Sequence, residues 1–201
     1  VAGKVGQAIT FSSPSVVLLS SPISLSSGTW SIATWFRIPI GSPGGYSTLT
    51  RGAAGDHQVI VEPSGLLGSY DNIGGTAFRS SGFNVNSLSA GWHHVAAVGS
   101  GASTVFYVDG VNVGTASFKS TSDIYAIGNY QGGTQSFGTI DDMRVYNRAL
   151  SASEVSTLNN LGQIASGLVG YWTFNIADIS GTTAYNSAGG MSTQSKTVSV
   201  T

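Results

Sequence analysis

The chain has 201 residues, 41% of them hydrophobic and 8% charged, with a formal net charge of −1 and no cysteine. That balance excludes an electrostatic footprint for nucleic acid or an anionic membrane surface, and the missing cysteines exclude disulfides and thiolate metal sites. With 4 Trp, 8 Tyr and 8 Phe a sizeable core is available, the length suits one large all-β domain, and no window approaches the about 20 apolar residues of a membrane-spanning helix.

Taken in order, Val1 to Ala8 leads into a short apolar run, Ile9 to Phe11, which Ser12-Ser13-Pro14 breaks. Val16 to Leu19 is a candidate buried strand. Trp30 to Arg37 alternates, with Trp30, Ile32, Thr34 and Phe36 on one face and Ser31, Ala33, Trp35 and Arg37 on the other. A tryptophan on each face predicts a strand covered on both sides or partly exposed. Tyr46 to Leu49 and Gln58 to Val61 read as strands around the loop Gly52 to Asp56, with His57 as a loop residue. Leu66 to Tyr70 and Thr76 to Phe78 come next, and Ser80 to Ala90 reads as a polar connection.

The most informative stretch is Gly91 to Gly110, GWHHVAAVGSGASTVFYVDG. Trp92 to Val98 and Val105 to Val108 are strands. Asp109-Gly110 before Val111-Asn112-Val113 is a hairpin signal, since both central residues of the favoured turn need positive φ. His93 and His94 are adjacent on a strand and so point to opposite faces, which predicts one packed inside the sandwich and one at the surface. Ile124 to Ile127 is a short strand, Asn129 to Ser136 a loop, and Ile140 to Tyr146 a strand. A helix is predicted over Ser151 to Asn159, where Ser151 and Glu154 have capping-box spacing. After the linker Gly162 to Gly167 come the strand Leu168 to Phe174, a turn-rich stretch Tyr185 to Gln194, and an alternating end, Lys196 to Thr201. Short strands at regular spacing with Gly-rich turns predict a two-sheet antiparallel sandwich with one short helix near 151–159.

Two motifs, GWHHVAAV…FYVDGV and GTIDDMRVYNRALSASEV, resemble the laminin-G-like jelly-roll domains of the concanavalin A-like lectin/glucanase superfamily, over about Val1 to Asn160. The resemblance implies a jelly-roll sandwich in residues 1–162, in a secreted or surface protein, and leaves the ligand open, because this fold carries lectins, glycosidases and adhesion modules. Val1 in place of an initiator Met, with no signal-peptide pattern, is what mature or excised material would show.

Residues 163–201 depart from that pattern. GLVGYWTFN…GTTAYNSAGG is similar to the opening strand and loop of such a domain, and VAGKVGQAITF to the segment that normally comes after them, so the opening stands at the C-terminus. The tail would complete its own sandwich, belong to a tandem array cut out of frame, or complete the sheet of the next copy by strand addition. The last would be carried by Leu168, Val169, Tyr171, Trp172, Phe174, Val198 and Val200, and would give a head-to-tail filament where the rotation does not close. A weakly charged surface has little self-repulsion, which suits packing against copies of itself and equally an ordinary extracellular protein. The leading expectation is a non-catalytic structural or adhesive module on the cell surface that self-associates. The alternative is a lectin-like carbohydrate-binding module, with or without a requirement for calcium.

No Glu-x-Asp-x-Glu pattern of the kind seen in the family's glucanases is present, and both glutamates have structural roles, Glu62 before Pro63 at a strand end and Glu154 in a cap. The resemblance implies a Ca²⁺ site in some members. Its candidate ligands here are Asp141, Asp142 and Asn186, the last where relatives commonly carry Asp. A hard cation wants six to eight oxygens, several of them carboxylate, so this set would bind weakly. The alternative is that Asp141 or Asp142 pairs with Arg144 or Arg148, or accepts hydrogen bonds from a loop backbone. Surface glycans would need an exposed aromatic platform with planar polar groups. Tyr130 with Asn129 and Gln131 is the first candidate, and Tyr46 or Tyr70 with Asp71-Asn72 the second.

Overall fold

A computed structural model describes residues 1–130, 133–180, 183–188 and 195–199. The strands are β1 (Ile9–Thr10), β2 (Val16–Ile23), β3 (Trp30–Ile38), β4 (Ser47–Gly52), β5 (His57–Val61), β6 (Leu66–Asp71), β7 (Ala77–Asn84), β8 (Gly91–Ser100), β9 (Ser103–Val108), β10 (Val111–Ala116), β11 (Ile124–Ile127), β12 (Thr139–Tyr146), β13 (Leu168–Trp172), β14 (Ile179–Ser180), β15 (Thr183–Tyr185) and β16 (Ser195–Ser199). Among the described residues one α-helix, α1 (Ala152–Asn159), lies between β12 and β13.

Among the described residues the strands form two antiparallel sheets. One has seven strands in the order β1-β12-β3-β8-β9-β10, with β13 also paired to β12. The other has nine, in the order β14-β15-β16-β2-β11-β4-β5-β6-β7. The architecture is a jelly-roll sandwich. Trp30, Ile32 and Phe36 of β3 face Leu49, Val59, Val61 and Leu67 of the opposite sheet in one core. Each such buried apolar side chain contributes about 1.5–3 kcal/mol of transfer free energy. Gly99 is needed beneath Trp30, since a Cβ there would lie 2.4 Å from the indole ring.

The hairpin signal is realised in the β9–β10 pairing of Val108 with Val111. Asp109 (φ 50°) and Gly110 (φ 78°) both lie in the left-handed region. Asp109 also ties the hairpin to β8. Its Oδ1 accepts the His94 N–H at 2.9 Å and its Oδ2 lies 2.7 Å from His93 Nδ1. The two histidines do point to opposite faces, but with burial reversed from a simple inside-outside split. His93 sits near the rim against Phe36 and Asp109. His94 is buried on the outer face against Trp35, with ring centroids 5.2 Å apart. That face of β3 is covered: the Lys4 ammonium lies 4.3 Å over Trp35, and Ala33 packs with Ala96 and Val98 against Val155 and Leu158 of α1. The strand with a tryptophan on each side is therefore buried on both. Helix α1 begins with the expected capping box, in which the Glu154 N–H donates to Ser151 Oγ (3.3 Å) and the Ser151 N–H to Glu154 Oε2 (2.9 Å).

Residues 80–84 lie inside β7, where the sequence reads as a polar connection. Pairing carries this strand in place of apolar alternation: Ser80 stands opposite Gly68 and Asn84 opposite Leu66, and the buried Ser81 hydroxyl donates to the Leu67 carbonyl at 2.8 Å.

The tail folds onto its own chain. In β13, Trp172, Tyr171, Gly170 and Leu168 pair with Met143, Arg144, Val145 and Tyr146 of β12. Trp172, Phe174 and Ala184 enter the main core, with Val169 packed against it. At the other sheet Val198 and Ser199 pair with Val17 and Val16. Val200 lies outside the described residues. The connection from α1 is held down, with Arg144 Nη1 donating to the Gly162 carbonyl (3.1 Å) and Arg148 Nε to the Ser166 carbonyl (2.8 Å).

Candidate functional site

The outward face of the nine-stranded sheet carries a polar, aromatic-walled cleft of about 160 Å³ across β4, β5 and β6. Its lining is Tyr46, Arg51, His57, Ile60, Tyr70, Asn72 and Gln135. Strand alternation sends Leu49, Val59 and Leu67 into the core and leaves Thr48, Ile60 and Tyr70 facing out. The register between β4 and β5 shifts between Thr48 and Thr50. A bulge of this kind re-aims the side chains beyond it, and here it brings Arg51 to the same face as Thr48. A second shift, between His57 and Ile60 of β5, does the same for His57 opposite Tyr70.

The aromatic wall is tightly braced. Tyr46 and Tyr70 meet edge to face at 5.7 Å and 86°, and His57 meets Tyr70 at 5.9 Å and 78°. Tyr130, outside this lining, lies under the Arg51 guanidinium, whose Cζ is 5.0 Å from the ring centroid. Burial, with the nearby Arg51 charge adding to it, pushes the His57 pKa down to about 3, so the imidazole is neutral at ordinary pH. Its Nε2 then accepts from Arg51 Nη1 at 3.0 Å. The network places the remaining ring proton on Nδ1, which donates to Thr48 Oγ1 at 3.2 Å. Thr48 in turn donates to Gln135 Oε1 at 2.7 Å. This chain of donors fixes the guanidinium from below.

Of the aromatic groups expected from sequence, the Tyr46/Tyr70 pair lines this cleft together with Asn72, and Tyr130 is joined to it through Arg51. Their polar companions do not all join them. Asn129 is fully buried and serves as a brace, since its Oδ1 accepts the N–H groups of Tyr130 (2.8 Å) and Gln135 (2.9 Å) and its Nδ2 donates to the Ser15 carbonyl (3.0 Å). Asp71 closes the adjoining turn by accepting from the Gly74 N–H at 2.6 Å and from the Thr76 hydroxyl. Gln131 lies outside the described residues. His57, read from sequence as a loop residue, is a strand residue with 4% exposure. Nothing in the local sequence marks Arg51, His57 or Gln135 as cleft residues, because two strand irregularities and a long-range loop contact bring them in.

The candidate Ca²⁺ ligands have separate partners. Asp142 is ion-paired with Arg144 at 2.8 Å. Asn186 Oδ1 accepts the Tyr171 N–H at 2.8 Å and the Ala188 N–H at 3.0 Å. Asp141 is fully buried and accepts the Val5 N–H at 2.8 Å. Burial, opposed by that hydrogen bond, pushes its pKa up to about 6. No group of three His, Asp or Glu side chains among the described residues is placed to share a metal ion.

A larger groove of about 310 Å³ lies beside Ile23, Ser24, Asn147 and Val169. Among the described residues it offers no aromatic face and no charged group, so of the two the smaller cleft is the chemically equipped one.

A sequence profile described as the concanavalin A-like lectin/glucanases superfamily matches residues 11–156. No curated protein matches the chain. Among solved structures, a Bacteroides ovatus protein proposed to bind carbohydrate superposes with a TM-score of 0.62 at 15% identity, over 94% of this chain and 59% of its own. The native heptameric SAP-like pentraxin of Limulus polyphemus gives 0.54 at 20% identity, over 76% of this chain and 81% of its own. Trypanosoma rangeli sialidase gives 0.54 at 18% identity, over 79% of this chain and only 28% of the enzyme. At these identities the likeness is one of fold. By the profile match, which spans most of its length, the chain belongs to the concanavalin A-like lectin/glucanase superfamily.

Proposed function

We propose that this chain is a carbohydrate-binding module whose ligand sits in the cleft walled by Tyr46 and Tyr70, where Tyr130 backs Arg51. The observation that carries the reading is the convergence there of two tyrosines, Tyr46 and Tyr70, with Arg51, Asn72 and Gln135, with a third ring, Tyr130, stacked beneath Arg51. Such a site offers ring faces to the apolar side of a pyranose and planar donors and acceptors to its hydroxyls, the usual composition of a small-ligand pocket. The Bacteroides ovatus neighbour, proposed to bind carbohydrate, supports the same class. A cell-surface setting would suit it. A glycan array probed with the intact chain tests the reading. Tyr130→Ala, which removes the ring beneath Arg51, is expected to weaken the best array ligand about tenfold, equivalent to ~1.4 kcal/mol. Unchanged binding would move the site elsewhere.

A second reading is self-association through the tail, giving a structural or adhesive surface module. It is favoured by one observation: Trp172, Phe174 and Ala184 fill a core whose other strands all precede residue 147. The edges of β12 and β2 that the tail occupies would accept the same segment from a second copy, as in strand addition. Light scattering on the purified chain decides. Masses at multiples of 20.5 kDa that grow with concentration support exchange. A monodisperse monomer leaves the tail in its own sandwich.

A further inference from the structure

Resting on the carbohydrate reading of the cleft, we propose that its ligand is an acidic saccharide, and that the Arg51 guanidinium receives the sugar's carboxylate or sulfate. The ion pairs among the described residues are His93–Asp109, Arg144–Asp142 and Arg148–Glu154. Arg144 and Arg148, which brace the fold, each have a carboxylate. Arg51 has none among the described residues.

The acids of the neighbouring loops are spoken for. Asp56 is buried and accepts the N–H groups of Asn72 and Ile73, both at 2.9 Å, and the Ser120 hydroxyl at 3.0 Å. Asp71 closes its own turn, and Glu62 accepts from the Ser64 hydroxyl at 2.6 Å. The groups that hold Arg51 are neutral throughout: His57 at 3.0 Å, the Tyr130 ring at 5.0 Å, and behind His57 the Thr48–Gln135 pair. A guanidinium has five N–H donors in a planar fork, and among the described residues the protein uses one of them, on His57. A half-buried cation without a counter-charge is costly, and a ligand that brings the anion recovers that cost. The fork geometry suits carboxylate and sulfate oxygens taken two at a time. The neutral relay beneath holds the fork in place without cancelling its charge, whereas an acid in the position of His57 would have done so.

The test is an array of matched pairs: an oligogalacturonide and its methyl ester, sialyllactose and lactose, a sulfated disaccharide and its desulfated form. Titration calorimetry is then run on any pair whose binding Tyr130→Ala weakens. The acidic member of at least one pair is expected to bind about tenfold or more tightly than its neutral counterpart, the scale of one charge-assisted contact. Arg51→Gln is expected to erase the ratio between pair members. Arg51→Lys keeps the charge but not the fork, and is expected to retain part of the ratio, which serves should the glutamine variant fail to fold. Which pair responds separates carboxylate from sulfate. Equal binding of the acidic and neutral members, or a ratio that survives Arg51→Gln, overturns the acidic-ligand assignment and leaves the cleft a neutral sugar site. No cleft-dependent binding by any member overturns both.

Discussion

Replacing Trp172 with alanine is expected to cost about 3–5 kcal/mol of folding stability, the range for emptying a buried large aromatic site. Trp172 is fully buried, stands opposite Met143 on the β12 edge, and packs in the core that both sheets share. The loss has two parts: the transfer free energy of the indole, and a cavity that the surrounding β-strands cannot close. Denaturant unfolding reads it as a fall in midpoint at unchanged slope. Tyr185, at 38% exposure, is the control in the same tail, and its alanine variant is expected to stay within about 0.5 kcal/mol of the parent. A Trp172→Ala loss below about 1 kcal/mol would mean that the tail does not fill the core as described.

The second large effect is on binding. Tyr70→Ala is expected to weaken the best array ligand by about 30-fold, equivalent to ~2 kcal/mol, more than the loss at Tyr130. Tyr70 is the keystone of the aromatic wall. Tyr46 leans on its ring at 5.7 Å and His57 at 5.9 Å. Its removal takes away one ring face of the proposed sugar site and frees the second, and it loosens the imidazole that positions Arg51. Edge-to-face pairs of this kind are worth about 0.5–1.5 kcal/mol beyond their area. A modest fall in melting temperature therefore accompanies the binding loss. Calorimetric titration alongside a thermal melt separates the two, because Tyr70 lies on the outward face and the sandwich core does not depend on it.

Local chemistry is readable wherever a short stretch determines its own conformation. Asp109-Gly110 needs positive φ at both positions and has it. Ser151 and Glu154 satisfy each other's backbone donors across one helical turn. The two-faced burial of β3 is foreshadowed by a tryptophan on each side. The features that escape a reading of the sequence depend on irregularity and distance. The register shifts in β4 and β5 leave no mark in composition, yet they aim Arg51 and His57 into the cleft. Gln135 comes to Thr48 from 87 residues away. The strand over residues 80–84 owes its pairing to a neighbour's edge, which Ser-Ser-Gly does not advertise. Tyr130, between Asn129 and Gln131, and Tyr70, before Asp71-Asn72, stand out as candidates because a ring beside planar polar groups is what a sugar site needs. Asn129 falls on the other side of that line because a side-chain amide braces a loop as readily as it binds a ligand.

The tyrosine cleft is tested most directly by a backbone and side-chain amide shift map, recorded while the strongest array saccharide is titrated into the intact chain. The largest perturbations are expected at Arg51, His57, Tyr70, Asn72 and Gln135, with little change along β13 or beside Ile23 and Val169. Perturbations centred on the groove at Ile23 and Val169, with the tyrosine cleft silent, would contradict the assignment of the ligand to this cleft.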